Sequence, residues 1–305
     1  MNRYLCAYQT ALSDTKKCRL HMANSIWMKD MEGFSVEKTF LQTNADYYGA
    51  QVYQAAFDQQ TVKDINRWVD KHTDGMIQSL LEKPIDKDVV MYLINALAFD
   101  AEWQSIYKKN QVREGVFTRE DGQAQSVKLM YSEEYTYLED EMATGFLKYY
   151  ADNEYAFVAL LPKEDVKVSE YVSWLTADHL SSLLNEPMDI SVRTAIPQFS
   201  YEDSMNMGAA LQQMGMTDAF DENKADFSGI DGTEYGKLVI NRVLHKTRIT
   251  VDERGTKAGA VTAVEMKEKS AITEENKRVY LDRPFLYMII DCETKSPLFM
   301  GTMMK

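Results

Sequence analysis

Cysteine is scarce in this 305-residue chain: Cys6, Cys18 and Cys292 are all there is. An odd count with no CxxC and no zinc-ligand spacing argues against a disulfide framework or a metal site and leaves the redox compartment open. Glycine and proline are sparse, at 14 and 6, which excludes a collagen-like or disordered chain; no Pro/Gly/Ser-rich linker, repeat or low-complexity tract divides it. No apolar run approaches the roughly 20 residues of a membrane helix, and the opening MNRYLCAYQTALSD holds no apolar block long enough for a signal peptide. Positive charge is outnumbered, 34 Lys and Arg against 47 Asp and Glu for a net charge of -13, which disfavours nucleic acid and anionic lipid as partners. The densest basic stretch, Lys16, Lys17 and Arg19, reads as a solvated helix end.

Catalytic signatures are absent too. There is no Gly-rich phosphate loop, HExxH, GxSxG or acidic calcium loop. The four histidines, His21, His72, His179 and His245, are scattered. The acidic runs at Glu139 to Glu141 and at Glu274 and Glu275 are the expected surface of so acidic a chain. A hydrolase is disfavoured, and no cofactor is expected.

What is present is mixed secondary structure. Val62, Ile65, Trp68 and Val69 recur at helical spacing; Gly75 breaks the pattern and Ile77, Leu80 and Leu81 resume it, which predicts a helix, a turn and a short helix over 61–82. The apolar runs Val89 to Phe99 and Tyr155 to Leu161 predict strands buried on both faces, with Asn95 anomalous in the first. Asp203 is placed to cap a helix carrying Met207, Leu211 and Met214, ended by Gly215. From Gly236 onward the pattern is mostly extended, and VYLDRPFLYMIID with PLFMGTMM predicts a buried antiparallel hairpin. One α+β domain over 1–305 accounts for this pattern.

Residues 253–284 stand apart. Read at period two from Thr256, one face is Thr256, Ala258, Ala260, Thr262, Val264 and Met266, all small or apolar, and the other carries the charges of Lys257, Glu265 and Lys267. That is a strand able to enter a sheet with one face buried; on pattern alone it reads equally as an ordinary amphipathic strand or a loop.

A series of segments, in order, resembles the serpins: ANSIW at Ala23 to Trp27, INRWVDKHTDGMI at Ile65 to Ile77, INALAFDAEW at Ile94 to Trp103, LKYYADNEYAFVALLP at Leu147 to Pro162, IPQFSYE at Ile196 to Glu202, LQQMGMTDAF at Leu211 to Phe220, ADFSGI at Ala225 to Ile230, VLHKTRITVDERGTKAGAVTA at Val243 to Ala263, DRPFLYMI at Asp282 to Ile289 and SPLFMGT at Ser296 to Thr302. The resemblance implies a serpin fold of mixed, mostly antiparallel sheets with surrounding helices, and residues 253–280 as hinge and reactive-centre loop.

It also implies a mechanism. A protease cuts the exposed loop, and the hinge half then inserts into the main sheet as a new strand, dragging and distorting the acyl-linked protease. Glu253, Gly255, Thr256, Ala258, Gly259, Ala260 and Thr262 match the hinge, with Gly255 where the backbone changes direction and Thr256 the first residue to enter. Asn95 and His245 match the polar pair beneath the sheet opening, and Trp103 the tryptophan at its top. Gln198 replaces a lysine that often pairs with the acid at Glu253, so a looser entry point is expected. Counting from Gly255 places the scissile bond at Lys269-Ser270, suiting a trypsin-like protease. Counting back from Pro284 points near Thr273, with Ala271 and Ile272 adjacent, suiting an elastase-like one. The first count is preferred, because the inserting half cannot easily change length. The 14 residues Thr256 to Lys269 would span about 46 Å as a strand and add on the order of ten ladder hydrogen bonds at ~1 kcal/mol each. With the apolar face added, this is comparable to the ~5–15 kcal/mol that holds a protease folded, provided that the uncut fold is metastable.

The expected function is therefore suicide inhibition of a serine protease by a monomer. The alternative is a non-inhibitory binding or carrier serpin, for which bulky or charged inward hinge residues are expected. The matches begin partway through the family pattern, so the opening helices are expected to be at least partly absent and Met1 to be internal to a longer protein. The compartment stays open, a secreted or cell-surface location being favoured.

Overall fold

The computed structural model describes residues 3, 6, 7, 12, 17–230, 238–240, 243–256 and 277–304. The strands are β1 (Cys18–Lys29), β2 (Gln51–Ala55), β3 (Met91–Glu102), β4 (Val112–Thr118), β5 (Ala124–Glu134), β6 (Tyr137–Glu139), β7 (Ala143–Tyr149), β8 (Tyr155–Pro162), β9 (Val192–Pro197), β10 (Phe199–Asn206), β11 (Leu244–Val251), β12 (Gly255–Thr256), β13 (Lys277–Tyr280), β14 (Phe285–Asp291) and β15 (Pro297–Met303). The helices are α1 (Lys38–Tyr48), α2 (Gln59–His72), α3 (Val168–Trp174), α4 (Ala177–Asn185) and α5 (Gly208–Gln213). Among the described residues the strands form three sheets, ordered β10-β11-β12-β3-β1-β2, β13-β9-β5-β4 and β15-β14-β8-β7-β6. The pairing is antiparallel throughout the third sheet, while β1 runs parallel to β2 and β13 parallel to β9.

The chain folds into two compact units, one of Met1–Leu12, Leu20–Ala98 and Tyr201–Arg248, the other of Ser13–Arg19, Phe99–Ser200 and Ile249–Lys305. The division falls between Leu12 and Ser13 and inside β1, β3, β10 and β11, so neither unit is a continuous segment.

In the first unit α2 packs Ile65, Trp68 and Val69 against Ile94 and Ala96 of β3, with Trp27, Phe57, Ile77 and Leu81 completing the cluster. The helical periodicity of the sequence is this buried stripe. The resumed pattern at Ile77, Leu80 and Leu81 is not a helix. After Asp74 and Gly75 turn the chain at positive φ, Asn66 Oδ1 accepts from the Leu80 and Leu81 N–H groups at 2.8 and 2.9 Å, and its Nδ2 donates to the Leu81 carbonyl at 2.8 Å. One side chain thus satisfies the backbone that a helix would have satisfied internally. The predicted cap at Asp203 is likewise displaced: Asp203 lies in β10, Asn206 Oδ1 accepts from the Gly208 N–H at 3.0 Å, and Met214 is 82% exposed past the helix end.

Asp58 caps α2, accepting from the Gln60 and Thr61 N–H groups at 2.8 and 3.0 Å. The Thr61 N–H holds its carboxyl below the ordinary aspartate range, with desolvation opposing and the Gln60 N–H adding to the effect. A depressed acid contributes stability above its unfolded pKa, and that contribution disappears as pH falls through the folded value. Asp58→Ala is therefore expected to melt below wild type at neutral pH, with the gap closing as pH drops below about 4; thermal melts of both proteins across that range check it.

The second unit is built on β8 and β14, every residue of which is buried. The predicted hairpin is β14 and β15, antiparallel with a register shift at Ile289/Ile290. On one side of this sheet Val158, Leu160, Met288 and Ile290 pack against Val168 and Tyr171 of α3 and Leu184 of α4.

Candidate functional site: the hinge seat

Four residues after β11 decide where the hinge goes. Asp252 Oδ1 accepts from the Arg254 and Gly255 N–H groups at 2.8 and 3.2 Å, and the Asp252 N–H donates to the Gly255 carbonyl at 3.0 Å. This tight turn folds the chain back so that Thr256 pairs with Val251 of β11 on one side and Ala101 of β3 on the other. Burial pushes the Asp252 carboxyl up, by more than those two N–H groups pull it down.

Each neighbour of the turn is anchored. The Trp103 indole Nε1–H donates to the Asp252 carbonyl at 2.9 Å, the Tyr107 N–H to the Glu253 carbonyl at 2.9 Å, and the Trp103 N–H to the Arg254 carbonyl at 2.8 Å. Arg254 Nη2 lies 3.2 Å from Glu102 Oε1. Gln198 Nε2 donates to Glu253 Oε2 at 2.5 Å. The glutamine therefore still holds the hinge acid where a lysine was expected, through a charge-assisted hydrogen bond in place of an ion pair.

Gly255 has a different role from the one anticipated. It is not among the glycines with positive φ; what requires glycine is proximity. A Cβ here would overlap the Ala101 carbonyl oxygen and stand 2.9 Å from the Glu102 Cα, both backbone atoms of β3 that have no side-chain freedom to yield. Thr256 is 2% exposed, and its Oγ1 shares a 2.6 Å hydrogen bond with the Tyr150 hydroxyl. Burial pushes the Tyr150 hydroxyl far up, so it stays protonated and available for that bond. Tyr150 in turn stacks on Trp103, centroids 4.6 Å apart and planes 12° from parallel.

Glu253, Gly255, Thr256 and Trp103 are thus brought together. Asn95 and His245, in the other unit, are exposed; Asn95 Nδ2 donates to Asn24 Oδ1 at 2.9 Å, and among the described residues no hydrogen bond joins Asn95 to His245. The hinge residues Ala258, Gly259, Ala260 and Thr262 and the scissile candidates Lys269, Ser270, Ala271, Ile272 and Thr273 lie outside the described residues. Sequence reading missed Tyr107, Tyr150, Asp252 and Arg254. For Tyr150 the one signal is its place two residues beyond Lys148 and four beyond Phe146, which continues their period-two spacing one residue past the end of β7.

An α+β architecture of mixed sheets, with a two-residue strand seated between two longer ones, defines a class of protein whose main sheet already holds the first residues of a further strand. The chain belongs to the serpin family: it matches Serpin (serine protease inhibitor) over residues 2–305. The thermophilic serpin tengpin in its native state superposes with a TM-score of 0.93 at 48% identity, covering 100% of this chain and 78% of that one; tengpin in its latent state gives 0.87 at 48%, covering 100% and 80%. Plasminogen activator inhibitor 1 of Neovison vison is 31% identical over 300 residues, 92% of this chain and 73% of that protein. Serpin B10 of Bos taurus is 29% identical over 307 residues, 96% of this chain and 76% of that protein.

Proposed function

We propose that this serpin is a suicide-substrate inhibitor of a serine protease, acting as a monomer, with Lys269-Ser270 as the bait bond and a trypsin-like enzyme as target. The observation that carries the reading is the seat of Gly255 and Thr256 between β11 and β3. In this reading the protease serine attacks the Lys269 carbonyl and the amine of Ser270 leaves. The acyl-linked hinge half then extends β12 residue by residue from Thr256. Strand β3 has 12 residues and β11 has eight, of which β12 pairs with two and one, so the framework for a much longer strand flanks the seat. The small inward residues Ala258, Ala260 and Thr262 suit that extension, since none brings a charge or a large volume to the sheet interior.

Incubation with trypsin-like and elastase-like proteases followed by a denaturing gel and mass spectrometry tests this. A covalent complex whose released peptide begins at Ser270 is expected. A complex only with elastase-like enzymes, cut near Thr273, would overturn the assignment of the bond, and cleavage without any complex would favour the binding or carrier reading.

A further inference from the structure

Beneath the hinge seat lies a buried charge that the proposed mechanism does not use. Lys148, on β7 with β8 alongside, is 1% exposed, and its Nζ lies 2.7 Å from Glu134 Oε1 at the end of β5. The same carboxylate oxygen accepts from Ser132 Oγ at 2.6 Å; Ser132 Oγ lies 2.9 Å from Thr194 Oγ1 and 3.2 Å from the Tyr107 hydroxyl. Burial alone would push the Lys148 ammonium down, but Glu134 and Tyr107 more than offset it, so it remains a cation. An ion pair in such a place gains little net stability over an apolar pair of the same shape, because desolvation consumes most of the attraction. Stability alone therefore does not account for it.

Its position does. Lys148 Nζ stands 4.5 Å from the centroid of the Tyr107 ring and 5.5 Å from that of Trp103, the geometry of a desolvated cation–π contact. These two residues supply the three donors that hold the carbonyls of Asp252, Glu253 and Arg254, and Trp103 stacks on the Tyr150 that bonds Thr256. From Glu134 through Lys148 and the aromatic rings to the hinge, every step is a direct contact.

We infer that the Lys148–Glu134 pair is a positioning device for the hinge, fixing Trp103 and Tyr107 so that residues 252–256 stay seated in the sheet before any protease arrives. Its link to inhibition rests on the reading under Proposed function; the seating itself does not. Without the pair the rings lose their fixed cation, the seat opens more often, and extension of β12 must begin by re-forming its first two pairs.

Hydrogen exchange on the uncut protein tests this, comparing wild type with the charge-free double variant Glu134→Gln/Lys148→Met and with Lys148→Arg. The double variant leaves no buried unpaired charge, so it is expected to fold. The amides of Trp103, Tyr107 and Gly255 are expected to exchange about tenfold faster in it, while those of β8 and β14 change less than about twofold; Lys148→Arg is expected to restore most of the protection. Lys277→Met, which removes a half-exposed pair with Glu139, serves as control and should leave the hinge amides unchanged. Unchanged hinge amides in the double variant, or uniform acceleration of hinge and core alike, would overturn the inference. If wild type also traps a protease, the double variant is expected to need several-fold more inhibitor per enzyme trapped. If wild type traps none, the inhibitory reading fails and the exchange result still decides the positioning role.

Discussion

Gly255→Ala is expected to abolish most covalent trapping while leaving the loop open to cleavage. The added methyl meets the Ala101 carbonyl and the Glu102 Cα, and neither can move without β3 moving. Relief is available only by pulling β12 away from β3, which loses the pairing of Gly255 with Glu102 and Thr256 with Ala101 and the Thr256–Tyr150 hydrogen bond. Overpacking of this kind costs about 1–3 kcal/mol, more than a two-residue strand can retain. Insertion would then have no seated start, so the acyl-protease would hydrolyse first. A denaturing gel with densitometry reads the outcome: protease turnover with little complex is the expected result, and full-stoichiometry trapping would show that the seat is dispensable. A denaturant melt of the uncut variant should fall by a similar ~1–3 kcal/mol.

Thr256→Arg is expected to be still more severe for function and mild for the fold. Thr256 is 2% exposed, between β11 and β3. A guanidinium there would be a buried charge, and the carboxylates around the seat are already engaged: Glu102 with Arg254, Glu253 with Gln198, Asp252 with the Arg254 and Gly255 N–H groups, and Glu134 with Lys148. Leaving such a charge unpaired costs several kcal/mol. Expelling Gly255 and Thr256 is cheaper than unfolding the sheet of β8 and β14, so the variant should circulate as a folded protease substrate with no detectable covalent complex. Thr256→Val is the matched control: it keeps the shape, brings no charge and loses the hydrogen bond to Tyr150 without pushing β12 off β3, and should trap markedly more protease than the Arg variant. Equal trapping by the Arg and Val variants would show that Thr256 does not enter the sheet interior.

How far these features were readable beforehand differs by residue. Ile65, Trp68 and Val69 announce α2 because helical spacing and burial coincide there, and Tyr155 to Leu161 announces β8 because a strand covered on both faces has no polar position to betray its period. Ile77, Leu80 and Leu81 mislead, since their spacing suits a helix while Asn66, more than ten residues earlier, claims the Leu80 and Leu81 N–H groups and Thr73 Oγ1 claims that of Ile77. No local window contains that competition. Gly255 stands out in the sequence as the point where the backbone changes direction, while its closeness to the Ala101 carbonyl, which also demands glycine, has no local signal. Lys148 reads as a charge stranded in an apolar strand, and nothing near it in sequence names Glu134 or Trp103 as its neighbours.

The order of motifs from ANSIW to SPLFMGT, the small residues of the hinge and the absence of enzyme signatures were determined by sequence alone, because each depends on residue type and spacing along one segment. The seat was decided only in three dimensions. Asp252 turns the chain, Gly255 admits it against β3, Tyr150 receives Thr256, and Lys148 with Glu134 braces the rings behind them. These residues come from β5, β7, β12 and the stretches just past β3, β7 and β11, with Trp103 and Asp252 149 positions apart, and are joined only by folding. Hydrogen bonds and buried charges act over a few ångströms in space, and only the tertiary fold, which draws on three separate sheets here, brings those residues within that range.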